Sequence, residues 1–437
     1  MNDRAGGETP PPGSIGQQLY DSISRRPIAA SFGLVILLTL YYHLSWPTFH
    51  DFIRAIDFCD IPFCDFVVFY YPMGREVFLT KSPIIGFDYS PFTALVFSIF
   101  GMFPLEVSTV IWVLLLIASM AGLVFVSLIV VAPKQIKQFF LPSLLLVFTS
   151  FPLLHNFKWG QVSVLLTLLP VLALLAARKD RWILSSLFLA CAISLKYFPV
   201  LFILPFVFKN NWRVVGGVLG WCVALFVLIP SGFFGISATT AFLGQIAQGT
   251  INKQIAARGL NSQFFVNVVI RWCSTVQSES VSLKPILRGI SFLIVEGVLA
   301  FIFFLIKSNM KKSMEYSFVL LFLSVPFFVA TSWPHYLVYL PFCQLFLGSE
   351  LLQGQKLGVV RRVSAAGMIL LSILLASVFM FQLMGTWERY SGAGLLLIAD
   401  VLLIISSVVL LLPQIRSFRR QTVPSREPAP RTVETNR

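Results

Sequence analysis

Residues 57–104 read DFCDIPFCDFVVFYYPMGREVFLTKSPIIGFDYSPFTALVFSIFGMFP. Asp51, Asp57, Asp60, Asp65, Glu76, Asp88 and Glu106 lie in or beside this stretch, yet the whole chain of 437 residues holds only 19 Asp plus Glu. Almost everything else is apolar run or short basic linker. Any acid or base chemistry is therefore expected here.

The totals agree with that reading. The chain is 57% hydrophobic and 12% charged, with a mean hydropathy of +0.83. A soluble domain carries about 25% charged residues, so the fold class is an all-α polytopic membrane protein. Forty-three Phe and nine Trp suit lipid-facing and interfacial positions. The net charge of +14 comes from Lys and Arg clustered between apolar runs, as in cytoplasmic loops. No basic domain exists to grip a duplex, which excludes nucleic acid. The six Cys form no CxxC pair, so no zinc or redox centre is expected. Cys59 and Cys64 in an external loop can be bridged or free.

Residues 1–26 are rich in Gly and Pro, end in Arg25-Arg26, and read as a disordered cytoplasmic tail. They are no cleavable signal peptide, since no small-residue cleavage site follows the first apolar run. The transmembrane domain runs over 27–412. Its first helix, 27–45, starts inside and ends outside by the positive-inside rule, making 46–105 an external loop. Within it VVFYYPMGREVF reads as an amphipathic helix. Residues 90–104 are too short to span comfortably, since a span needs about 20 residues, and read as an interfacial helix. Crossings follow at 106–131, 139–153 and 162–177, with HNFKWGQ (155–161) as a polar external turn. Residues 182–208 read as a tight hairpin turning near Lys196–Pro199, because one long helix would turn the later basic clusters outward. After a helix at 213–231 comes a second external loop, 232–285. Helices at about 286–307, 315–331, 335–349, 363–384 and 393–412 complete twelve spans. Residues 413–437 read as a disordered basic cytoplasmic tail.

Ionisable groups at a membrane are costly, so each one calls for a reason. Asp65 heads an apolar helix and can serve as a general base toward a hydroxyl or as a helix N-cap. Asp88 can cap the next helix. Asp57 and Asp60 read as solvated loop residues. Lys196 ends an apolar helix at an external turn, where it snorkels or binds a lipid-linked phosphate. His155, Asn156, Lys158 and Gln161 share another external turn. His335 lies where a later helix re-enters, and Arg258 and Asn261 lie in the second loop. All are expected on the same face as Asp65, which marks a site. That face is out of reach of cytoplasmic nucleotide donors but open to a polyprenyl phosphate sugar. Phosphate leaves without an acid, while the acceptor hydroxyl needs a base.

The ordered pieces DFVVFYYPMGREVF, FDYSPFTALVFSIFGMFP, NFKWGQVSVLLTLLPVLAL, SLKYFPVLFILPFVFKNNWR, GLNSQ and SWPHYLVYLP resemble glycosyltransferase family 87, of the GT-C superfamily, over roughly 27–350. The resemblance implies a GT-C-type bundle of about twelve helices with external juxtamembrane helices in the first loop. It implies an inverting hexose transfer, of mannose first, from a polyprenyl phosphate sugar to a lipid or glycan acceptor outside the plasma membrane. No cofactor or metal is implied; the lipid-linked sugar is a co-substrate. Asp65 matches the expected base, and Lys196 and His335 match polar positions near the donor phosphate. Asn156, Gln161 and Asn261 line the site, and Asp88 is a second candidate base. Ser90-Pro91 departs from the double proline common in the family. A transporter or flippase of lipid-linked sugars is the alternative, predicting functional charges within the spans.

Overall fold

The computed structural model describes residues 27–46, 51, 54–55, 59–82, 89–245, 262–273, 280–353 and 358–422. Among these the secondary structure is helical, apart from one isolated bridge between Ser150 and Ser377. The elements used below are α1 (Pro27–Ser45), α2 (Tyr71–Thr80), α3 (Pro91–Phe100), α4 (Leu105–Val131), α5 (Ile136–Phe148), α6 (Phe151–Trp159), α7 (Ser163–Arg178), α8 (Trp182–Leu195) and α9 (Trp212–Phe234). They continue with α10 (Ser280–Lys307), α11 (Ser313–Phe328), α12 (Leu340–Gln353), α13 (Val359–Leu375) and α14 (Leu395–Thr422). Among the described residues four stretches are long and apolar enough to cross a membrane: Leu105–Val131, Trp212–Phe234, Leu283–Lys307 and Trp387–Pro413. α6 and α7 make a fifth if counted as one span, bent by 120° at their junction.

The expected helices 139–153 and 363–384 are each broken, one at Thr149-Ser150 and the other at Ala376-Ser377. The two breaks mend each other. Phe151 donates its amide to the Ala376 carbonyl and Val378 donates to that of Thr149, both at 2.9 Å. Backbone groups freed at helix ends need partners wherever water is scarce. Pro152, early in α6, suits a new helix start.

The first loop holds two helices, α2 and α3. Its entry is a π-helical turn, Phe66–Tyr70, running into α2. Phe66 stacks on Trp112 of α4 at 5.2 Å, and Tyr70 stacks on Phe97 of α3 at 4.5 Å. Such ring pairs add about 0.5–1.5 kcal/mol each beyond area burial. Ser90 caps α3, its Oγ accepting from the Thr93 amide at 3.1 Å. The hydroxyl fills a role proline lacks, which accounts for the serine before Pro91. Asp88, expected as that cap, lies outside the described residues.

α8 stops at Leu195, and Lys196 takes an extended conformation (φ −151°, ψ 146°). A 3₁₀ segment, Phe198–Ile203, follows with Pro199 in its first turn. The break expected there exists, and α8 packs along both α7 and α9. The second loop holds more structure than expected: 236–245 and Phe265–Cys273 are helical. The last helix runs on to Thr422, so the tail expected from 413 begins as helix.

Candidate active site

Residues 155–161, expected as a polar external turn, are instead mostly buried helix. His155, Asn156, Lys158 and Gln161 are each at most 2% exposed. The chain turns only at Gly160, whose φ of +64° closes α6. An added Cβ there would lie 3.0 Å from the Phe66 Cβ and 3.1 Å from the Phe63 Cβ. Trp112 Nε1 donates to the Gly160 carbonyl at 2.9 Å. This close approach brings the Asp65 loop onto the α6–α7 junction and puts Gln161 beside Asp65.

Gln161 Nε2 donates to Asp65 Oδ2, and Tyr70 donates its hydroxyl to Gln161 Oε1 at 2.8 Å. The Tyr70 and Tyr89 hydroxyls are 2.8 Å apart. Tyr70 has one proton and gives it to Gln161, so Tyr89 donates to Tyr70. The donors thus run in one direction, Tyr89 to Tyr70 to Gln161 to Asp65, and favour a charged carboxylate at the end. Burial, then the neighbouring Tyr89 and Asp65, push the Tyr70 hydroxyl well above its ordinary range, keeping it a neutral donor. Asp65 sits in αR geometry at the head of the turn without a side-chain cap bond. The N-cap alternative is therefore not what its carboxylate does.

The second half of the site comes from the ends of α8 and α11. Lys196 Nζ donates to the Tyr336 hydroxyl at 2.8 Å, and its ammonium lies 6.0 Å from the Tyr89 ring centre. Ser90 and Thr93 both donate to the Ser194 carbonyl, the latter at 2.8 Å. Those bonds fasten the first loop to α8 two residues before Lys196. His335, in the 3₁₀ turn Pro334–Leu337, is 1% exposed and stacks on His155 at 5.4 Å. Neither ring nitrogen of His335 has a hydrogen-bond partner among the described residues. Burial, then His155 and Lys196, hold it well below the ordinary histidine range, so it is neutral. Asn156 is fully buried, and its side-chain amide has no partner among the described residues.

Asp65, Gln161, Lys196, His335 and Asn156 therefore gather at one end of the bundle, joined through Tyr70, Tyr89 and Tyr336. Those three tyrosines escaped the sequence reading. The signal is present in the sequence, since each stands beside or near a candidate residue: YY at 70–71, Asp88-Tyr89 and His335-Tyr336. Asp88, Arg258 and Asn261 lie outside the described residues. Lys158 turns to the first loop, where it donates to the Cys59 carbonyl. Cys59 and Cys64 are bridged, immediately before Asp65. Asp60 forms an exposed pair with Arg54 at 3.4 Å, a contact worth little. Asp400 is buried in α14 and accepts from Tyr339 at 2.9 Å.

Comparison with known proteins bears on what this arrangement does. The sequence profile of glycosyltransferase family 87 matches residues 87–332, more than half of the chain. A polyprenol-phosphate-mannose-dependent alpha-(1-2)-phosphatidylinositol pentamannoside mannosyltransferase from Mycolicibacterium smegmatis is 32% identical over 131 residues. That alignment covers 30% of this chain and 31% of the relative. No solved structure matches.

Proposed function

The chain belongs to glycosyltransferase family 87, and from that premise we propose that it moves mannose from a polyprenyl phosphate to a lipid or glycan acceptor, with Asp65 as the base. Membership of the family itself makes the chain a membrane glycosyltransferase. The single observation that supports Asp65 as the base is the donor chain ending on its Oδ2, which shares a tyrosine, Tyr89, with the surroundings of the Lys196 ammonium. A base and a cation held together from separate parts of the chain suit a displacement that makes one negative charge and consumes another.

In this reading Asp65 takes the proton from the acceptor hydroxyl. The freed oxygen attacks the anomeric carbon from the face opposite the leaving group. As the new C–O bond forms, the bond to the phosphate oxygen breaks, and polyprenyl phosphate leaves with that electron pair. Lys196 offsets the charge that develops on the phosphate. Neutral His335 can donate one hydrogen bond beside it, and the Asn156 amide adds a further donor. The anomeric configuration inverts, and no cofactor takes part. The same reading counts the short apolar helices as crossings, giving about twelve spans, and sets the site on the extracytoplasmic face of the plasma membrane.

Asp65→Asn keeps the shape and still meets Gln161, but cannot hold a proton. With radiolabelled polyprenyl phosphate mannose and purified protein, release of polyprenyl phosphate should fall about 10²–10⁴-fold, the usual worth of a positioned base. Turnover equal to the unmodified protein would remove Asp65 from the mechanism.

A further inference from the structure

We propose that the protein holds the headgroup of an anionic phospholipid at the end of the bundle opposite the active site. α7 starts beside Gln161 and ends at Arg178, and α11 starts near Met314 and ends before the turn that holds His335. Arg178 and Met314 therefore mark the far end, and they line a cavity of about 470 Å³ together with Asp180, Lys209, Asn211 and Arg213. Arg178 is committed to the protein: it bonds the Val130 carbonyl at 2.8 Å and pairs with Glu315 at 3.5 Å. Lys209 and Arg213 are exposed and have no ion-pair partner among the described residues. Asp180 is the one acid on the wall among the described residues. Two uncommitted cations facing one carboxylate leave the cavity set to receive an anion.

The surface below the cavity decides which anion. Trp212 lies on its rim and is 62% exposed; Leu219 is 60% and Val223 53% exposed. Positions 212, 219 and 223 fall on one face of α9. An indole at the rim with an apolar strip running down the helix is what a lipid wants: polar head in the cavity, acyl chain along the strip. A free phosphate or a nucleotide has no use for that strip. Basic pockets between membrane helices on the cytoplasmic side bind such headgroups, and this end carries the basic linkers. The inference does not rest on the proposed transfer activity.

The test uses the full chain in neutral detergent with phosphatidylcholine. Phosphatidylglycerol is titrated by native mass spectrometry, with glycerol phosphate as the soluble comparison. Lys209→Gln and Arg213→Gln should each weaken phosphatidylglycerol binding about five-fold, and the pair roughly thirty-fold, at one cation's worth of surface attraction each. Thermal unfolding without added lipid checks that the variants fold; the single variants serve if the double one does not. Binding of phosphatidylglycerol unchanged by either substitution would overturn the proposal. So would glycerol phosphate binding as tightly as the lipid, which would make this a soluble-anion site, or phosphatidylcholine doing so.

Discussion

Asp65 draws its meaning from Gln161, 96 positions further along the chain. The sequence marks both as polar residues among apolar ones, and that much was readable. What could not be read is that 155–159 is helix: a polar heptapeptide with a glycine looks like a turn, and only its burial against the His335 turn, Trp387 and the first loop makes it otherwise. His335 shows the same at another position. Expected near a donor phosphate, it lies against His155 and feels the charge of Lys196, and its neutrality depends on that burial. The consequence for stability has a definite sign. Unfolded, the ring titrates near 6.5; folded, it resists the proton well below that. Its contribution is complete above pH about 6.5 and is lost as pH falls toward the folded value, because only the unfolded chain gains a proton in that window. Thermal unfolding in detergent between pH 7 and 5 should show stability falling by up to about 1.4 kcal/mol per pH unit from this ring. His335→Gln should flatten that slope. An unchanged slope would mean that the ring takes up its proton equally in the folded and the unfolded chain, against its burial as described.

At the scale of elements, the site depends on how the first loop is tied to three later helices. The disulfide fixes the entry, Trp112 and Gly160 fix the π-turn, and Ser90 with Thr93 fixes α3 to α8. The two loop helices were legible from their prolines and apolar pattern, whereas these ties were not, because each joins residues far apart in the chain. Gly160 is the most exacting of them. A left-handed conformation costs an ordinary residue about 1–2 kcal/mol, and the Cβ would also press on Phe63 and Phe66. Gly160→Ala should therefore lower stability by at least about that amount and cut transfer, since Gln161 moves with it. Gly216, helical and with open space at its Cβ position, is the control: alanine there should leave stability equal or raise it by about 0.4–1 kcal/mol. If both variants keep full stability and activity, the turn does not set the position of Gln161.

For the whole molecule, the short helices carry the argument. α7 has 16 residues and α8 has 14, about 24 and 21 Å at 1.5 Å per residue. A hydrocarbon core is about 30 Å thick. Two helices that meet at Arg178–Arg181 are thus each shorter than that thickness, and Lys196, at the far end of α8, lies less than one hydrocarbon thickness from the basic end. A window of about 20 residues sees such helices poorly: the long α4, α9 and α10 were plain from the sequence, the break near 196 followed only from the charge rule, and those near 150 and 377 went unseen. The basic end gathers through contacts as well as linkers: Arg178 reaches Glu315, and Lys312 reaches Glu350. Positive charge at one end predicts that this end is cytoplasmic. Lys179→Cys and Lys81→Cys, each in a background with exposed Cys273 changed to Ser, separate the two faces. A membrane-impermeant maleimide should label position 179 in inside-out vesicles and position 81 in right-side-out ones. Labelling of both from the same side would contradict the bundle's polarity, and with it a donor presented from the outer leaflet.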